Sequence, residues 1–185
     1  MKTNIWIDTD PGIDDLFAII IGCYHPSANL IGISTVTGNL GIETTTQNAL
    51  DILHMIWKNE IPVIKGAGKP LLRDVFTCPE IHGEILGSFG MDKSPKEAIT
   101  KNPFFEIYTR IMAVEGNVTV YLIGPVTNFA IILRAFPDIK DKIEKFVFLG
   151  GGVFAGNATS HAEFNVYADP EALQIILNEG IEILV

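Results

Sequence analysis

Short apolar runs with the composition of β-strands alternate with longer segments of helical periodicity, and this alternation constrains the fold more than any other feature. The first run, residues 5–7, is Ile-Trp-Ile, and β-branched and aromatic residues of this kind are typical of a buried strand. Pro11 and Gly12 interrupt it, and residues 14–21 then form a largely apolar segment that opens with two acids, as helices often do. The same order continues: strands are predicted at residues 30–36, 63–64, 118–123, 146–149 and 181–185, and helices at residues 44–57, 104–114, 126–135 and 170–177.

This order of elements indicates an α/β fold, because helices that connect parallel strands must alternate with them along the chain. We predict a single α/β domain over residues 1–185, with an open, mostly parallel, doubly wound (Rossmann-like) sheet and flanking helices. Residues 181–185 resemble an interior strand without the loop and helix that normally follow, so we expect the domain to be truncated at its C-terminal end. Residues 66–100 are rich in Gly, Pro and charge and are predicted to form a long loop or mobile flap.

The charge and hydropathy of the chain exclude several classes of partner. Its formal net charge of −9 argues against nucleic-acid binding, which usually needs a basic surface. No apolar run reaches the roughly 20 residues of a membrane-spanning helix, so no membrane partner is expected. The first residues lack the apolar stretch of a secretory signal, and a cytoplasmic location is expected by default.

Polar residues cluster directly after the predicted strands. In an open parallel sheet, ligands bind outside the carboxyl ends of the strands, so these clusters are expected to meet at one edge. They lie at residues 8–15, 37–39, 124–128 and from residue 150 onward.

The first cluster contains four aspartates within eight residues: Asp8, Asp10, Asp14 and Asp15. So many carboxylates repel one another unless a cation or a helix N-terminus compensates, and oxygen ligands at this density suit Ca²⁺ or Mg²⁺ rather than zinc. Asp10 at the strand end and Asp15 in the first helical turn are placed to bind one ion. Asp14 faces another direction and is free to accept hydrogen bonds from a polyol. Simple helix capping is the alternative, which remains open for Asp14 alone but explains one or two acids rather than four.

A cation at this position would activate a water molecule, and an adjacent carboxylate would take its proton. Asp10 is the best placed residue for both roles, which predicts a hydrolase without a covalent intermediate. A phosphatase of the haloacid dehalogenase type, with Asp8 as nucleophile and Asp10 as acid, is an alternative, although residues 11–15 fit its motif poorly.

The segment Asp8-Thr9-Asp10-Pro11-Gly12-Ile13-Asp14-Asp15 resembles the N-terminal signature of the nucleoside hydrolases of the inosine-uridine-preferring type. Further segments match the family in the same order: Thr37-Gly38-Asn39, Gly124-Pro125-Val126-Thr127-Asn128, Gly150-Gly151-Gly152 with Gly156-Asn157, Ala162-Glu163-Phe164-Asn165 and Asp169-Pro170-Glu171-Ala172. The resemblance therefore covers nearly the whole chain. It implies calcium-dependent hydrolysis of the N-glycosidic bond of ribonucleosides to free base and ribose, by a homo-oligomer (a dimer or tetramer).

The resemblance also implies roles for individual residues. Asp10, Asp15 and the backbone carbonyl of Ile123 would bind Ca²⁺, and Asp10 would also be the catalytic general base. The residues implied in ribose binding are Asp14, Asn39, Asn157, Glu163 and Asn165, with His82 near the leaving base. Taken alone, Asn39 and Asn157 each follow a glycine and are also ordinary turn residues. Glu163 and Asn165 would share one side of an extended segment, and taken alone they could form a solvated face.

One part of the family pattern has no counterpart here. In the family, a His-Asp pair near the end of a considerably longer chain supplies the leaving-group acid and another calcium ligand. No histidine of this chain has a matching context; the four are His25, His54, His82 and His161. A catalytically impaired or inactive protein that retains calcium or ribose binding, or has an interaction role, is therefore the alternative function.

Overall fold

A computed structural model describes residues 2–82 and 92–185, apart from the side chain of His82. Strands and helices alternate along these residues as the sequence predicts. The elements are β1 (Thr3–Thr9), α1 (Ile13–Tyr24), β2 (Ala28–Thr35), α2 (Ile42–Met55), β3 (Val63–Lys65), α3 (Pro79–His82), α4 (Pro103–Ala113), β4 (Val118–Leu122), α5 (Thr127–Ala135), a 3-10 helix (Pro137–Asp141), β5 (Ile143–Phe148), α6 (Phe164–Ala168), α7 (Pro170–Asn178) and β6 (Ile183–Leu184).

The strands form one sheet in the order β3-β2-β1-β4-β5-β6, and all its strand pairs among the described residues are parallel. The chain begins in the middle of the sheet, winds outward to β3, and then crosses to the other side of β1 to form β4, β5 and β6. The predicted open, parallel, doubly wound sheet is confirmed. Its winding direction reverses between β1 and β4, where sheets of this kind have a crevice that binds ligands.

Two apolar clusters lie on opposite faces of the sheet, and β1 contributes to both because its successive side chains alternate in direction. Trp6 packs in a cluster with α4, α5 and α7, whereas Ile5 and Ile7 pack in a cluster with α1 and α2. Each fully buried Ile or Phe side chain contributes about 1.5–3 kcal/mol relative to an exposed one. These clusters therefore hold the carboxyl ends of β1, β2 and β4 next to one another.

A groove of about 610 Å³ runs along the sheet beside α1 and is lined mainly by apolar side chains, including those of Ile7, Ile21 and Tyr121. Phe17 and Ile21, on the outer side of α1, are each 60% exposed. Among the predicted site residues whose side chains the structure describes, Ile123 alone lines this groove, and no acid of the first cluster does. No helix within residues 2–82 and 92–185 combines the length and apolar composition needed to cross a membrane.

The structure differs from the sequence-based prediction mainly between residues 150 and 170. Glu163 and Asn165 were expected on an extended segment, and this is wrong because Asn165 lies in the short helix α6. The Glu163 side chain caps that helix by accepting hydrogen bonds from the backbone N–H groups of Asn165 and Val166. The predicted loop over residues 66–100 contains only α3 and one isolated bridge in its described parts, and residues 83–91 lie outside the description.

Candidate active site

The Asp10 side chain lies at the carboxyl edge of the sheet, directly after β1, and is almost completely buried. Its Oδ2 accepts a hydrogen bond from the backbone N–H of Asn39 at 2.7 Å, and the side-chain Nδ2 of Asn39 donates to the Asp10 carbonyl at 3.2 Å. Two glycines leave room for this carboxylate. A Cβ atom on Gly38 would lie 2.0 Å from Asp10 Oδ2, and one on Gly124 would lie 2.6 Å from Oδ1. The loops after β2 and β4 thus enclose Asp10 at the point where the sheet reverses.

Asp15 is also buried and faces the end of β1 from the first turn of α1. Its Oδ1 accepts a hydrogen bond from the Thr9 hydroxyl at 2.5 Å, and its Oδ2 accepts one from the backbone N–H of Gly12 at 2.8 Å. The second bond satisfies one of the free amide groups at the start of the helix. Each Asp15 oxygen has a further lone pair beyond the one used here.

Asp14 differs from Asp15 because its side chain is exposed. Neighbouring residues of a helix point in different directions, so Asp14 projects outward while Asp15 projects toward β1. Burial is the largest cause that raises the pKa of Asp10 and Asp15, and the charge of Asp14 is a smaller cause that raises both further.

Burial makes the carboxylates at this edge difficult to ionise. It raises the pKa of Asp10 well above its ordinary value, and the charge of Asp15 raises the pKa of Asp10 further. Burial likewise raises the pKa of Asp15 to about 6, and that of Asp8 to about 7 despite hydrogen bonds from Ser34 and Asn128 that lower it. Within the described ranges, no salt bridge to a lysine or arginine compensates any of the three acids. The edge therefore favours either protons or a bound cation.

The atoms present match the chemistry of a hard divalent cation. Asp10 Oδ1 is buried and has no hydrogen-bond partner among the described residues, a situation that is rare and costly unless an ion or water occupies the position. Residues 2–82 and 92–185 contain no group of three or more His, Cys, Asp and Glu side chains arranged to hold a metal. Two carboxylates, from Asp10 and Asp15, would therefore need additional oxygens from the backbone or from water, and Ca²⁺ and Mg²⁺ both accept such ligands.

A second group of predicted residues surrounds α6. Asn157 Oδ1 accepts a hydrogen bond from the backbone N–H of Phe164 at 2.7 Å, and Glu163 Oε2 accepts one from Gly151 at 3.2 Å. Asn165 Nδ2 donates to the Leu149 carbonyl at 2.9 Å and to that of Ile123 at 3.4 Å. Asn165 therefore links this group to Ile123, which immediately precedes Gly124 beside Asp10.

His82 is the last residue of α3, and its side chain lies outside the described part of the structure, so the structure does not test its predicted place near the base.

Two buried residues of this edge, Asp8 and Asn128, had no role in the nucleoside hydrolase interpretation of the sequence. Asp8 is completely buried, and its Oδ1 accepts hydrogen bonds from the Ser34 hydroxyl and from Asn128 Nδ2. Asn128 is also completely buried. The sequence predicted that Asp8 lies at the end of the first strand and that Asn128 lies at the start of the helix after β4, but the contact between them joins residues 120 positions apart.

Comparison with known proteins identifies the family. Residues 5–185 match the family model described as inosine-uridine preferring nucleoside hydrolase. The chain belongs to this family. The alternative of a haloacid dehalogenase-type phosphatase loses its basis, since family membership assigns the aspartate motif to nucleoside hydrolases.

Individual nucleoside hydrolases agree with this assignment. The chain is 41% identical over 185 residues to the non-specific ribonucleoside hydrolase RihC of Escherichia coli. This alignment covers all of this chain and 60% of that relative. It superimposes on a plant nucleoside hydrolase with a TM-score of 0.93 at 31% identity, covering 100% of this chain and 60% of the other. A purine-preferring ribonucleoside hydrolase from Gardnerella vaginalis gives a TM-score of 0.91 at 30% identity, covering 98% and 59%. The chain thus spans about three fifths of the length of these relatives.

Proposed function

We propose that this chain carries the cation- and ribose-binding part of an enzyme that hydrolyses the N-glycosidic bond of ribonucleosides, including inosine and uridine, to free base and ribose. The observation that carries the proposal is the buried Asp10 carboxylate at the reversal point of the sheet, with Oδ1 unpaired among the described residues. Membership in the nucleoside hydrolase family and similarity to a non-specific ribonucleoside hydrolase support this substrate class.

Ca²⁺ is the proposed cofactor, with Asp10, Asp15 and the backbone carbonyl of Ile123 as its protein ligands. When bound, such an ion supplies Lewis-acid chemistry that lowers the pKa of water. The two carboxylates supply the negative charge that the ion needs, and the ion in turn allows them to remain ionised in a buried position.

Asp10 is the proposed general base. Asn39 and Gly38 fix the orientation of its Oδ2, which leaves Oδ1 to accept a proton from the attacking water molecule. Burial raises the pKa of Asp10, and a bound cation would lower it again, so that the carboxylate stays ionised and able to accept a proton. Direct attack by water without a covalent intermediate would invert the anomeric carbon.

Ribose is proposed to bind between the two groups of polar residues. The exposed carboxylate of Asp14 is available to accept hydrogen bonds from ribose hydroxyls. The side-chain oxygens of Asn39 and Asn165 accept no hydrogen bond within the described ranges, whereas their Nδ2 atoms are engaged by backbone carbonyls. Asn157 and Glu163 complete the proposed set, and His82 is proposed to approach the base. Carboxylate and amide oxygens also stabilise the positive charge that develops on the sugar ring.

A second candidate function is calcium or ribose binding without turnover. The observation in its favour is that the described residues supply carboxylate and amide oxygens for a cation and for ribose, whereas none of them has a proposed role as the acid that protonates the leaving base. A site that binds its ligands without acid catalysis of base departure can be slower by about 10²–10⁴.

An assay of base release from inosine and uridine, combined with calorimetric titration of Ca²⁺ and ribose, tests both candidates. Base release that is abolished in Asp10→Asn and retained in Asp141→Asn supports hydrolysis; Asp141 is an exposed control on the 3-10 helix. Binding of Ca²⁺ and ribose without base release supports the second candidate. An Asp10→Asn variant with near-full activity removes Asp10 from the mechanism.

Assembly into a dimer or tetramer and a cytoplasmic location stay predictions from the sequence. Light scattering coupled to gel filtration checks the first of these.

A further inference from the structure

Asn128 connects the carboxyl ends of several strands through a single side chain. It is completely buried and lies in the first turn of α5, directly after β4. Its Nδ2 donates one hydrogen bond to Asp8 Oδ1 at 2.8 Å and another to the Thr35 carbonyl at 3.0 Å. Its Oδ1 accepts a hydrogen bond from the backbone N–H of Ala67 at 2.8 Å. The side chain thus joins the ends of β1 and β2 and the segment after β3 to the helix that follows β4.

The orientation of this amide is fixed by its neighbours. Exchanging Oδ1 and Nδ2 would place Oδ1 against two acceptors, Asp8 Oδ1 and the Thr35 carbonyl, and would place Nδ2 against the N–H of Ala67. Gly66 packs closely against the amide, since a Cβ there would lie 2.3 Å from Asn128 Oδ1. The hydrogen bonds and the shape of the site therefore both select one arrangement.

Two hydrogen-bond paths lead from Asn128 to the proposed cation ligands. Along the first, the Ala67 carbonyl accepts a hydrogen bond from Thr37 N–H at 3.0 Å, and Thr37 begins the turn whose Asn39 N–H holds Asp10. Along the second, the Asp8 carbonyl accepts a hydrogen bond from Ile123 N–H at 2.9 Å. Asn128 itself contacts neither Asp10 nor Ile123 in these paths.

We propose that Asn128 is a positioning residue for the cation site: its amide sets the relative placement of the strand ends that carry Asp10 and Ile123. This inference rests on the proposed function, because it presupposes that these residues bind Ca²⁺. Residues that orient metal ligands without touching the metal commonly change metal affinity by about 10–100-fold when they are replaced.

Calorimetric titration of Ca²⁺ into the wild type, Asn128→Ala and the milder Asn128→Ser tests the proposal, with circular dichroism to verify folding. The matched control is Thr127→Val. Thr127 is the adjacent buried residue, and its hydroxyl donates to Asp169 at 2.6 Å rather than to the strand ends near Asp10. The substitutions remove buried hydrogen bonds from the same helix turn, up to three at Asn128 and one at Thr127, so all three variants are expected to melt at lower temperature. Only the Asn128 variants are expected to lose Ca²⁺ affinity, by about tenfold or more.

The outcomes separate this inference from the proposed function. Wild-type protein that binds Ca²⁺, with Asn128→Ser binding as tightly as Thr127→Val, overturns the positioning role and leaves the cation site intact. Absence of Ca²⁺ binding by both the wild type and Thr127→Val overturns the cation site and this inference together. If Asn128→Ser melts at the same temperature as Thr127→Val but binds Ca²⁺ more weakly, the positioning role is supported, because a purely structural role would not change the affinity.

Discussion

At the scale of single residues, the direction of each carboxylate separates the acids of the first cluster. Asp10 is buried between the loops after β2 and β4, Asp15 is buried against the end of β1, and Asp14 is exposed. Asn39 donates hydrogen bonds to both the carboxylate and the backbone carbonyl of Asp10. Adjacent positions in the sequence therefore support different chemical roles.

Asp14→Ala is expected to weaken ribose binding more than Ca²⁺ binding, because the exposed carboxylate makes no hydrogen bond within the described residues. Asp15→Asn is expected to show the opposite order, because Asp15 is buried between Thr9 and Gly12 beside the proposed ion. Calorimetric titration of each variant with Ca²⁺ and with ribose measures the difference. The reverse order of effects would mean that the two roles are exchanged.

Gly38→Ala is expected to lower Ca²⁺ affinity by about tenfold or more, since the new methyl group would displace the Asp10 carboxylate from its position. Gly41→Ala is the matched control three residues later, where an added Cβ meets no atom within 4 Å. Titration of both variants with Ca²⁺ provides the comparison. Equal affinities in the two variants would show that the close contact between Gly38 and Asp10 is unimportant.

At the scale of elements, short helices at this edge depend on side chains that cap them. Helix α6 has only five residues, and Glu163 accepts hydrogen bonds from two of its first N–H groups. An isolated helix of this length would not be stable in water, so its formation depends on capping and packing. The residues predicted to bind ribose thus also form the local structure that presents them.

Glu163→Ala is expected to lower the free energy of unfolding by about 0.5–2 kcal/mol, the usual cost of removing an N-terminal cap. Glu115→Ala, at an exposed glutamate before β4, is expected to change it by less than about 0.5 kcal/mol. Urea denaturation followed by circular dichroism gives both values. A neutral Glu163→Ala result would contradict the capping role.

At the scale of the whole molecule, the fold of the sheet buries three acids of one short segment, residues 8–15. Residues from distant segments, Asn39 and Asn128, hold two of these acids by hydrogen bonds. Burial raises the pKa of Asp8, Asp10 and Asp15, so ionising all three without a cation opposes folding. A ligand that binds only the folded state stabilises it by mass action.

Ca²⁺ at about 100 times its dissociation constant is expected to stabilise the folded chain by about 2.7 kcal/mol. For a domain of this size, that corresponds to a rise in melting temperature of roughly 5–10 °C. Scanning calorimetry with Ca²⁺ and with a chelator measures the shift, and Asp10→Asn is expected to show none. Equal shifts in the wild type and Asp10→Asn would place the stabilising ion elsewhere.

The sequence by itself determined the α/β class, the parallel sheet and the acidic cluster after β1. These follow from local patterns: the alternation of strand and helix periods, and polar residues directly after strands. The same information predicted extended structure incorrectly at residues 164–165, because a helix of five residues has too few positions to show a period.

Only the tertiary structure decided which of these residues are in contact. The bond between Asp8 and Asn128 spans 120 residues, and the Asn39 N–H reaches Asp10 across 29. The unpaired, buried Oδ1 of Asp10 likewise results from the loops that close over it at Gly38 and Gly124. Burial and hydrogen-bond partners depend on the path of the whole chain, whereas local composition reports only which element each residue occupies.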